Sequence, residues 1–443
     1  MINETHDPAL RSWVPSAQRP GTDFPIQNLP HGVFRRRDRD EPFRGGIAIG
    51  DEILDMQRAV AAGVFSLAVQ PVAHAAAQDL LNGLMAMGPA AWHGLRSELS
   101  QLLSAETPEA NRLHDCLVPQ HQAEYALPAR IGDYTDFFTS WHHMINAGRV
   151  FHPEAPPLPN FRWLPIAYHG RASTVELSGA PVYRPTGQQR VPGAEAPDFG
   201  PTRRLDYELE LAVWIGAGNP RGHAIPVDVA EQHVFGLGLL NDWSARDVQA
   251  WESMPLGPFL AKNFLTTVSP WIVTMEALAP FRCALPRTPE DPQALPYLHG
   301  TSLQGLDIHL EASLLTQRSG STELHLSHSS FRHCYWSLAQ MVAHHTEGGC
   351  SLRPGDLFGT GTQSGPGERE QGCLLELSRG GQQPVQLASG EERRFLEDGD
   401  TVLLRAWAER DNAMRIGFGD CRGTVISHPS TGVYSPTSLS KRI

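Results

Sequence analysis

Two acids spaced two residues apart carry the strongest chemical signal in this 443-residue chain. They are Glu208 and Glu210, in the stretch Leu205-Asp206-Tyr207-Glu208-Leu209-Glu210-Leu211-Ala212-Val213-Trp214-Ile215-Gly216. Apolar and polar residues alternate from Leu205 to Leu211, the period of a half-buried strand, and side chains two apart on a strand share a face. Asp206, Glu208 and Glu210 therefore point one way, with the last two about 6.6 Å apart at ~3.3 Å of rise per residue. Like charges at that spacing raise each other's pKa unless a cation or hydrogen-bond donors lie between them. A solvated acidic face would explain the alternation alone, but the strand continues into Ala212-Val213-Trp214-Ile215, an apolar run suited to burial. The carboxylates then line a cavity, and a hard divalent cation is the natural means of holding them there.

Other residues could complete such a site. Asp242 ends the apolar run Leu237-Gly238-Leu239-Leu240-Asn241, where a cation ligand is expected. Asp136 adjoins the aromatic pair Phe137-Phe138, and His142-His143 follow closely; adjacent histidines face different ways, so this stretch assigns no role by itself. Lys262 lies among apolar and small residues, and a buried lysine is costly unless it faces carboxylates. It is either paired in the site or a plain surface lysine, and its neighbours favour the site. Leu374-Leu375-Glu376-Leu377 reads as an acid inside an apolar strand. The run Phe358-Gly359-Thr360-Gly361-Thr362 lacks the Gly-Lys-Ser/Thr ending of a phosphate loop, so its glycines fit close approach of backbone to a small ligand.

These groups need a scaffold, and composition bounds it. A net charge of -12 argues against nucleic acid and against an anionic membrane surface. Met1 to Asp7 has no basic or apolar signal character, and the longest apolar run, Ala59 to Val69, is too short to span a bilayer. The six cysteines show no C-x-x-C spacing and read as buried thiols in a reducing compartment, so a soluble, cytoplasmic protein is expected. The chain divides near residue 128. The first part has short strands, a hairpin at Gly50-Asp51 and a helical stretch over residues 78–103 in which Pro89 suits a first turn. It carries no catalytic constellation. In the second part, Pro185 to Pro201 reads as a surface loop and Ala279 to Pro296 as a Pro-rich insertion. Leu306 to Leu314 reads as a strand with His309 and Glu311 on its wet face. Tyr335 to His345 reads as a helix with Leu338, Met341 and Val342 inward, and the last strands run from Thr401 to Val425. The expected fold is α+β, mainly β, with domains 1–128 and 129–443.

Several stretches together resemble the fumarylacetoacetase (fumarylacetoacetate hydrolase) family. They are Asp23-Phe24-Pro25-Ile26-Gln27-Asn28-Leu29-Pro30, Ile131 to Phe137, Tyr168 to Arg171, Glu208-Leu209-Glu210, Asn241 to Asp247, Pro255 to Leu260 with Lys262, and Leu352 to Leu357. The similarity spans nearly the whole chain, whereas distant superfamily members share mainly the catalytic half. The resemblance implies an N-terminal SH3-like domain, a C-terminal mixed β-roll, a homodimer, and hydrolysis of 4-fumarylacetoacetate to fumarate and acetoacetate in tyrosine and phenylalanine breakdown. It implies metal ligation by Asp136, Glu208, Glu210 and Asp242, the ion being calcium, with magnesium near Lys262 and Thr266. It implies His143 as general base oriented by Glu376. Lys262 and Arg246, with Gln249, would stabilise negative charge, and Tyr168 and Thr362 would hold the substrate. An all-oxygen ligand set of four carboxylates suits a hard cation.

Three substrate-side positions depart from the family pattern: Phe138 and Ser253 stand where relatives carry Tyr, and His152 where they carry Arg. The loss of charged and phenolic contacts weakens carboxylate anchoring, each charged hydrogen bond being worth roughly 1.5–3 kcal/mol. Arg149 is a candidate substitute for the missing charge. A related β-diketone or acylpyruvate hydrolase with another acid substrate is therefore the alternative expectation. A non-catalytic metal-stabilised binding protein would be free to lose part of a constellation that is present together, and a zinc hydrolase would want histidine or thiolate ligands.

Overall fold

The computed structural model describes residues 2–151, 153–191 and 193–428. Its first part is built on a five-stranded antiparallel sheet in the spatial order Leu117–Pro119, Glu52–Asp55, Arg44–Ile49, His31–Arg36, Ala123–Ala126. The expected hairpin is there. Gly50 takes φ +57 at its tip, where a Cβ would lie 2.2 Å from the Ser16 hydroxyl oxygen, so only glycine closes the turn without displacing Ser16. The expected helical stretch is two helices, Asn82–Ala86 and Pro89–Leu103, because Gly88 at φ +81 breaks the chain before Pro89. The longer helix buries Leu95, Leu99 and Leu102 as the periodicity requires. It also buries Arg96, which donates to Thr5 Oγ1 (3.0 Å) and to the carbonyls of Asn28 (2.7 Å) and Gln27 (2.6 Å). Those bonds tie the N-terminal lead to the helix.

Two larger sheets form the rest. One runs Ile166–His169, Tyr134–Phe138, Leu357–Gly359, Leu209–Ile215, Val234–Asp242, Thr266–Val268, Val175–Leu177, with Val273–Thr274 also paired to Val234–Asp242. The other runs Leu324–Ser330, His309–Leu315, Thr401–Arg410, Ala413–Ile426, Pro181–Tyr183. Leu211, Val213, Leu237 and Leu239 of the first sheet pack with Leu310, Ala312, Leu404, Ala406 and Phe418 of the second. The opposite face of the first sheet, through Ala212, Trp214, Phe235, Leu240 and Leu357, shares a core with the N-terminal helices. Trp92 of the long N-terminal helix meets Phe235 edge-on at 5.2 Å. The architecture is the mixed, mainly β fold expected. Among the described residues no helix is long and apolar enough to cross a membrane.

Local structure departs from the sequence reading elsewhere too, and the strand expected over Leu306 to Leu314 is broken into Gly305–Leu306 and His309–Leu315. The Leu205 to Gly216 stretch is not one half-wet strand: it forms Leu205–Asp206, pauses at residues 207–208, and resumes as Leu209–Ile215, buried throughout. The pause is stabilised because Asn241 Oδ1 accepts the Glu208 N–H at 3.0 Å, a side chain standing in for the ladder. Leu374–Leu377 is a helical turn rather than a strand. Asp206 caps it, accepting the N–H groups of Leu374 (2.8 Å) and Leu375 (2.9 Å). The loop from 185 to 201 contains a hairpin, Thr186–Gln189 with Asp198–Pro201. The helix expected from Tyr335 is Leu338–Glu347, delayed by a capping box between Ser337 and Gln340. All six cysteines are free, but Cys350 is exposed and Cys283 half-buried rather than core.

Candidate active site

Four adjacent strands bring the acids together. Asp136 stands opposite Gly359 in a parallel pair, Gly359 stands opposite Ala212, and Leu240 stands opposite Glu210 two residues before the strand ends at Asp242. Asp136, Glu208, Glu210 and Asp242 each place a carboxylate oxygen within 4.8 Å of the others, and all are buried. Glycine at 359 leaves the room they occupy: a Cβ there would lie 2.4 Å from Asp136 Oδ1 and 2.9 Å from Glu210 Oε2.

Cations reach one side of this cluster only. Lys262 Nζ donates to Glu208 and, at 2.8 Å, to Asp242 Oδ2. Its loop is fixed by Glu252, whose Oε1 accepts the N–H groups of Phe259 (2.9 Å) and Ala261 (2.8 Å). Arg246, at the start of the helix Arg246–Glu252, donates Nε to Asp206 (2.9 Å) and Nη1 to Glu208 (2.7 Å) and Gln249 Oε1 (3.1 Å). Thr266 and Tyr168 donate their hydroxyls to Asp242 at 3.0 and 2.8 Å. Burial alone would raise the Glu208 carboxyl, but Lys262 and Arg246 outweigh it and hold Glu208 well below the usual carboxylate range. The same carboxylates outweigh the burial of Lys262 and keep it charged.

Asp136 and Glu210 have no such partner. Asp136 Oδ1 and Glu210 Oε1 are buried without a hydrogen bond, while the Gly361 N–H donates to Glu210 Oε2 at 2.8 Å. Burial, reinforced by the neighbouring acids, pushes both carboxyls well above their ordinary values. Lys262 and Arg246 thus serve Glu208, Asp242 and Asp206, leaving Asp136 and Glu210 each with one buried oxygen that meets no donor in the chain. A divalent cation would supply the missing charge, and an all-carboxylate donor set suits a hard ion. The residues fit the group.

The second constellation is His143 with Glu376. His143 sits in the first turn of the helix Trp141–Phe151, its N–H held by Ser140 Oγ at 3.2 Å. Its Nδ1 lies 2.6 Å from Glu376 Oε2. Burial raises the Glu376 carboxyl, but His143 together with hydrogen bonds from Asn146 and Cys373 outweighs it, and the net position is below the ordinary value. His142 turns the other way, edge-on to His333 at 5.8 Å. Thr362 Oγ1 and Arg246 Nη2 are buried without partners, which leaves an acceptor-donor and a donor free for a ligand.

The three departing positions fall as follows. The Phe138 ring stands edge-on to His143 at 5.3 Å and to Phe161 at 5.9 Å, an apolar wall beside the imidazole. Ser253 Oγ is spent on the Gln249 carbonyl at 2.6 Å. His152 lies outside the described residues. Asp206, placed on the same strand face as Glu208 and Glu210 by alternation, leaves the cluster for Arg246 and the Leu374 turn. Asn146, Ser364 and Cys373, all bonded to Glu376, escaped the sequence reading. Only Asn146 left a trace, three residues after His143 and so on the same helix face.

Comparison with known proteins decides the family. A model described as "Fumarylacetoacetate (FAA) hydrolase C-terminal" matches residues 134–426, and one described as "Fumarylacetoacetase N-terminal" matches residues 27–128. The chain belongs to the fumarylacetoacetase family. It is 47% identical over 425 residues to the fumarylacetoacetase of Oryza sativa subsp. japonica, covering 94% of this chain and 97% of the relative. To the human fumarylacetoacetase it is 44% identical over 422 residues, covering 94% and 98%. Among solved structures, a fumarylacetoacetate hydrolase from psychrophilic Exiguobacterium antarcticum matches with a TM-score of 0.50 at 16% identity, covering 90% of this chain and 99% of that one. That likeness bears on the fold alone. Sequence similarity to the fumarylacetoacetases runs through both the N-terminal sheet and the carboxylate-bearing strands.

Proposed function

We propose that the chain hydrolyses the carbon–carbon bond of 4-fumarylacetoacetate, giving fumarate and acetoacetate, the last step of tyrosine and phenylalanine catabolism. The observation that carries this reading is the coexistence of the buried His143–Glu376 pair with a pocket of four carboxylates, two of which have an oxygen without a donor, in a chain 44% identical to human fumarylacetoacetase. His143 takes a proton from water, and the resulting hydroxide oxygen adds to the carbonyl carbon next to the scissile bond. That bond breaks, its electron pair leaves with the acetoacetate carbon as an enolate, and a proton then returns to that carbon. Glu376 holds the His143 proton on Nδ1 and stabilises the imidazolium.

Lys262 and Arg246 hold developing negative charge, with Gln249 fixing the Arg246 fork. Tyr168 and Thr362 position the diketo acid. Asp136, Glu208, Glu210 and Asp242 would hold a calcium or magnesium ion, beside Lys262 and Thr266. When bound, such an ion supplies Lewis-acid polarisation of the diketone oxygens.

Two further parts complete the reading. The chain comprises an N-terminal domain, 1–128, and a catalytic domain, 129–443, and it pairs with a second copy. Met254, Leu256, Phe259 and Leu260, all exposed on the loop leading to Lys262, support such a covering partner. A cytoplasmic location is supported by six unpaired cysteines.

A second reading, hydrolysis of another β-diketone or acylpyruvate, is favoured by the apolar wall at Phe138 and the engaged Ser253 hydroxyl. The test follows loss of diketone ultraviolet absorbance with fumarylacetoacetate and with acylpyruvates, with and without chelator. Rapid chelator-sensitive loss with fumarylacetoacetate, abolished in His143→Ala, supports the first reading. Turnover of acylpyruvates alone establishes the second, and no turnover of either sinks both.

A further inference from the structure

Glu376 is one of the most heavily bonded carboxylates in the molecule, and the reaction as written uses only one of its bonds. Its Oε2 accepts from His143 Nδ1 at 2.6 Å, from Ser364 Oγ at 2.8 Å and from Cys373 Sγ at 3.1 Å, while Oε1 accepts from Asn146 Nδ2 at 2.9 Å. Four donors converge on a fully buried acid. Three elements supply them: the helix Trp141–Phe151, the loop that continues from the strand Leu357–Gly359, and the residue that precedes Leu374–Leu377. Ser364 is itself aimed, since its Oγ accepts the Gly372 N–H at 3.0 Å and so spends its proton on Glu376. Its carbonyl accepts from Ser140 Oγ at 3.1 Å, the same hydroxyl that caps the His143 N–H. The loop carrying Thr362 and the helix carrying His143 are thereby stitched together at the acid.

We infer that Asn146 and Ser364 are positioning residues that keep the Glu376 carboxyl ionised and in one orientation, so that the His143 proton stays on Nδ1 and Nε2 keeps its lone pair for the reacting water. The physical reason is the burial. A carboxylate removed from water without donors takes up a proton, and each donor to its charged form opposes this. A protonated Glu376 would offer its own O–H towards Nδ1, which moves the imidazole proton to Nε2 and removes the base. The charged and titratable groups facing Glu376 are His143 and Cys373, with His142 on the same helix, Arg246 and Asp206 beyond Cys373, and Tyr207 behind. His143 is uncharged while its Nε2 lone pair waits for the water, so the hydrogen-bond donors must hold the negative charge of the carboxylate.

The inference rests on His143 as the base, and the test separates the two. Asn146→Ala, Ser364→Ala and the double variant are assayed in the full-length, metal-saturated protein across pH 6 to 10, beside His143→Ala. In the double variant kcat falls about 10- to 100-fold near neutral pH, the scale for losing groups that orient a reacting side chain. It recovers towards the wild-type value as pH rises through the now higher Glu376 pKa, and KM changes little. Ser364→Thr, which keeps the hydroxyl, retains the wild-type profile. An equal fractional loss at every pH, or no loss, overturns the inference while leaving His143 in place. Undiminished turnover in His143→Ala overturns the base assignment itself.

Discussion

Replacing Glu376 by Gln removes one negative charge and little volume, which makes it a clean probe of the His143 pair. The wild-type carboxylate oxygen lies 2.6 Å from Nδ1, inside a region where both side chains are buried. As His143 takes a proton it becomes a cation whose charge is centred about 4 Å from that of the carboxylate. At an effective dielectric near 20 two such charges attract by about 4 kcal/mol. With each ~1.4 kcal/mol worth a factor of ten, Glu376→Gln lowers kcat by about 10³-fold. The charge exists only after the proton has moved, so KM stays within a small factor and the loss falls on kcat. Initial rates of diketone absorbance loss over a substrate series separate the two constants, and thermal unfolding of the variant checks that the fold persists. A kcat loss smaller than about tenfold, or a loss expressed in KM, would refute the reasoning.

Three other outcomes follow from the same geometry. Asp136→Asn, which removes one unpartnered carboxylate, raises the thermal midpoint of the chelator-treated protein yet abolishes the midpoint rise on adding Ca²⁺; differential scanning calorimetry reads both, and a lower ion-free midpoint would contradict the charge count. Lys262→Met removes a cation bonded to Glu208 and Asp242, so calorimetric titration should find Ca²⁺ bound at least as tightly while kcat drops by roughly 10² or more; weaker binding would mean that Lys262 organises the ligands instead. His31 is buried and its pKa is lowered from 6.5 to about 3, first by burial and then by Arg96. Its unfolded form therefore binds the proton first, and the stability it contributes is complete above pH 6.5 and drains away as pH falls towards 3. Urea unfolding at pH 5 against pH 7 should show wild type losing about 2 kcal/mol more than His31→Gln; parallel losses would show that His31 takes up its proton in the fold.

Chemistry-bearing residues were more legible in the chain than the backbone that carries them. Glu208 and Glu210 stood out because alternation beside an apolar run is a local pattern, and Asp242 and Lys262 because charge among apolar neighbours is one too. Asp206 obeys the same alternation yet lies apart, since the strand pauses at residues 207–208, where the Glu208 N–H donates to the Asn241 side chain, which is remote in sequence. Glu376 shows in the sequence as an acid in an apolar run, which reads as a strand; its helical turn depends on the Asp206 cap from 168 residues away. Residues 78–103 read as continuous helix because periodicity does not register the positive φ at Gly88. Ser364 and Cys373 left no signal, because donors to a carboxylate need only proximity and neither spacing nor periodicity encodes it. Contacts made across the fold, rather than along an element, are what the linear pattern omits.

Glu210, Ala212 and Trp214 alternate along one face of the strand Leu209–Ile215, and the N-terminal helices cover the last two of them. One continuous surface thus belongs to the carboxylate cluster at one end and to the core shared with the N-terminal helices at the other. The mutational target for loss of activity extends accordingly. A substitution at Trp92, whose ring fills the space beside Gly216 and against Phe235, is expected to surface in a genetic screen as a defect in catalysis, although no atom of it approaches the substrate. Alleles scattered through the first domain would then form one complementation class with those in the pocket, and be separable from them by rescue at low temperature.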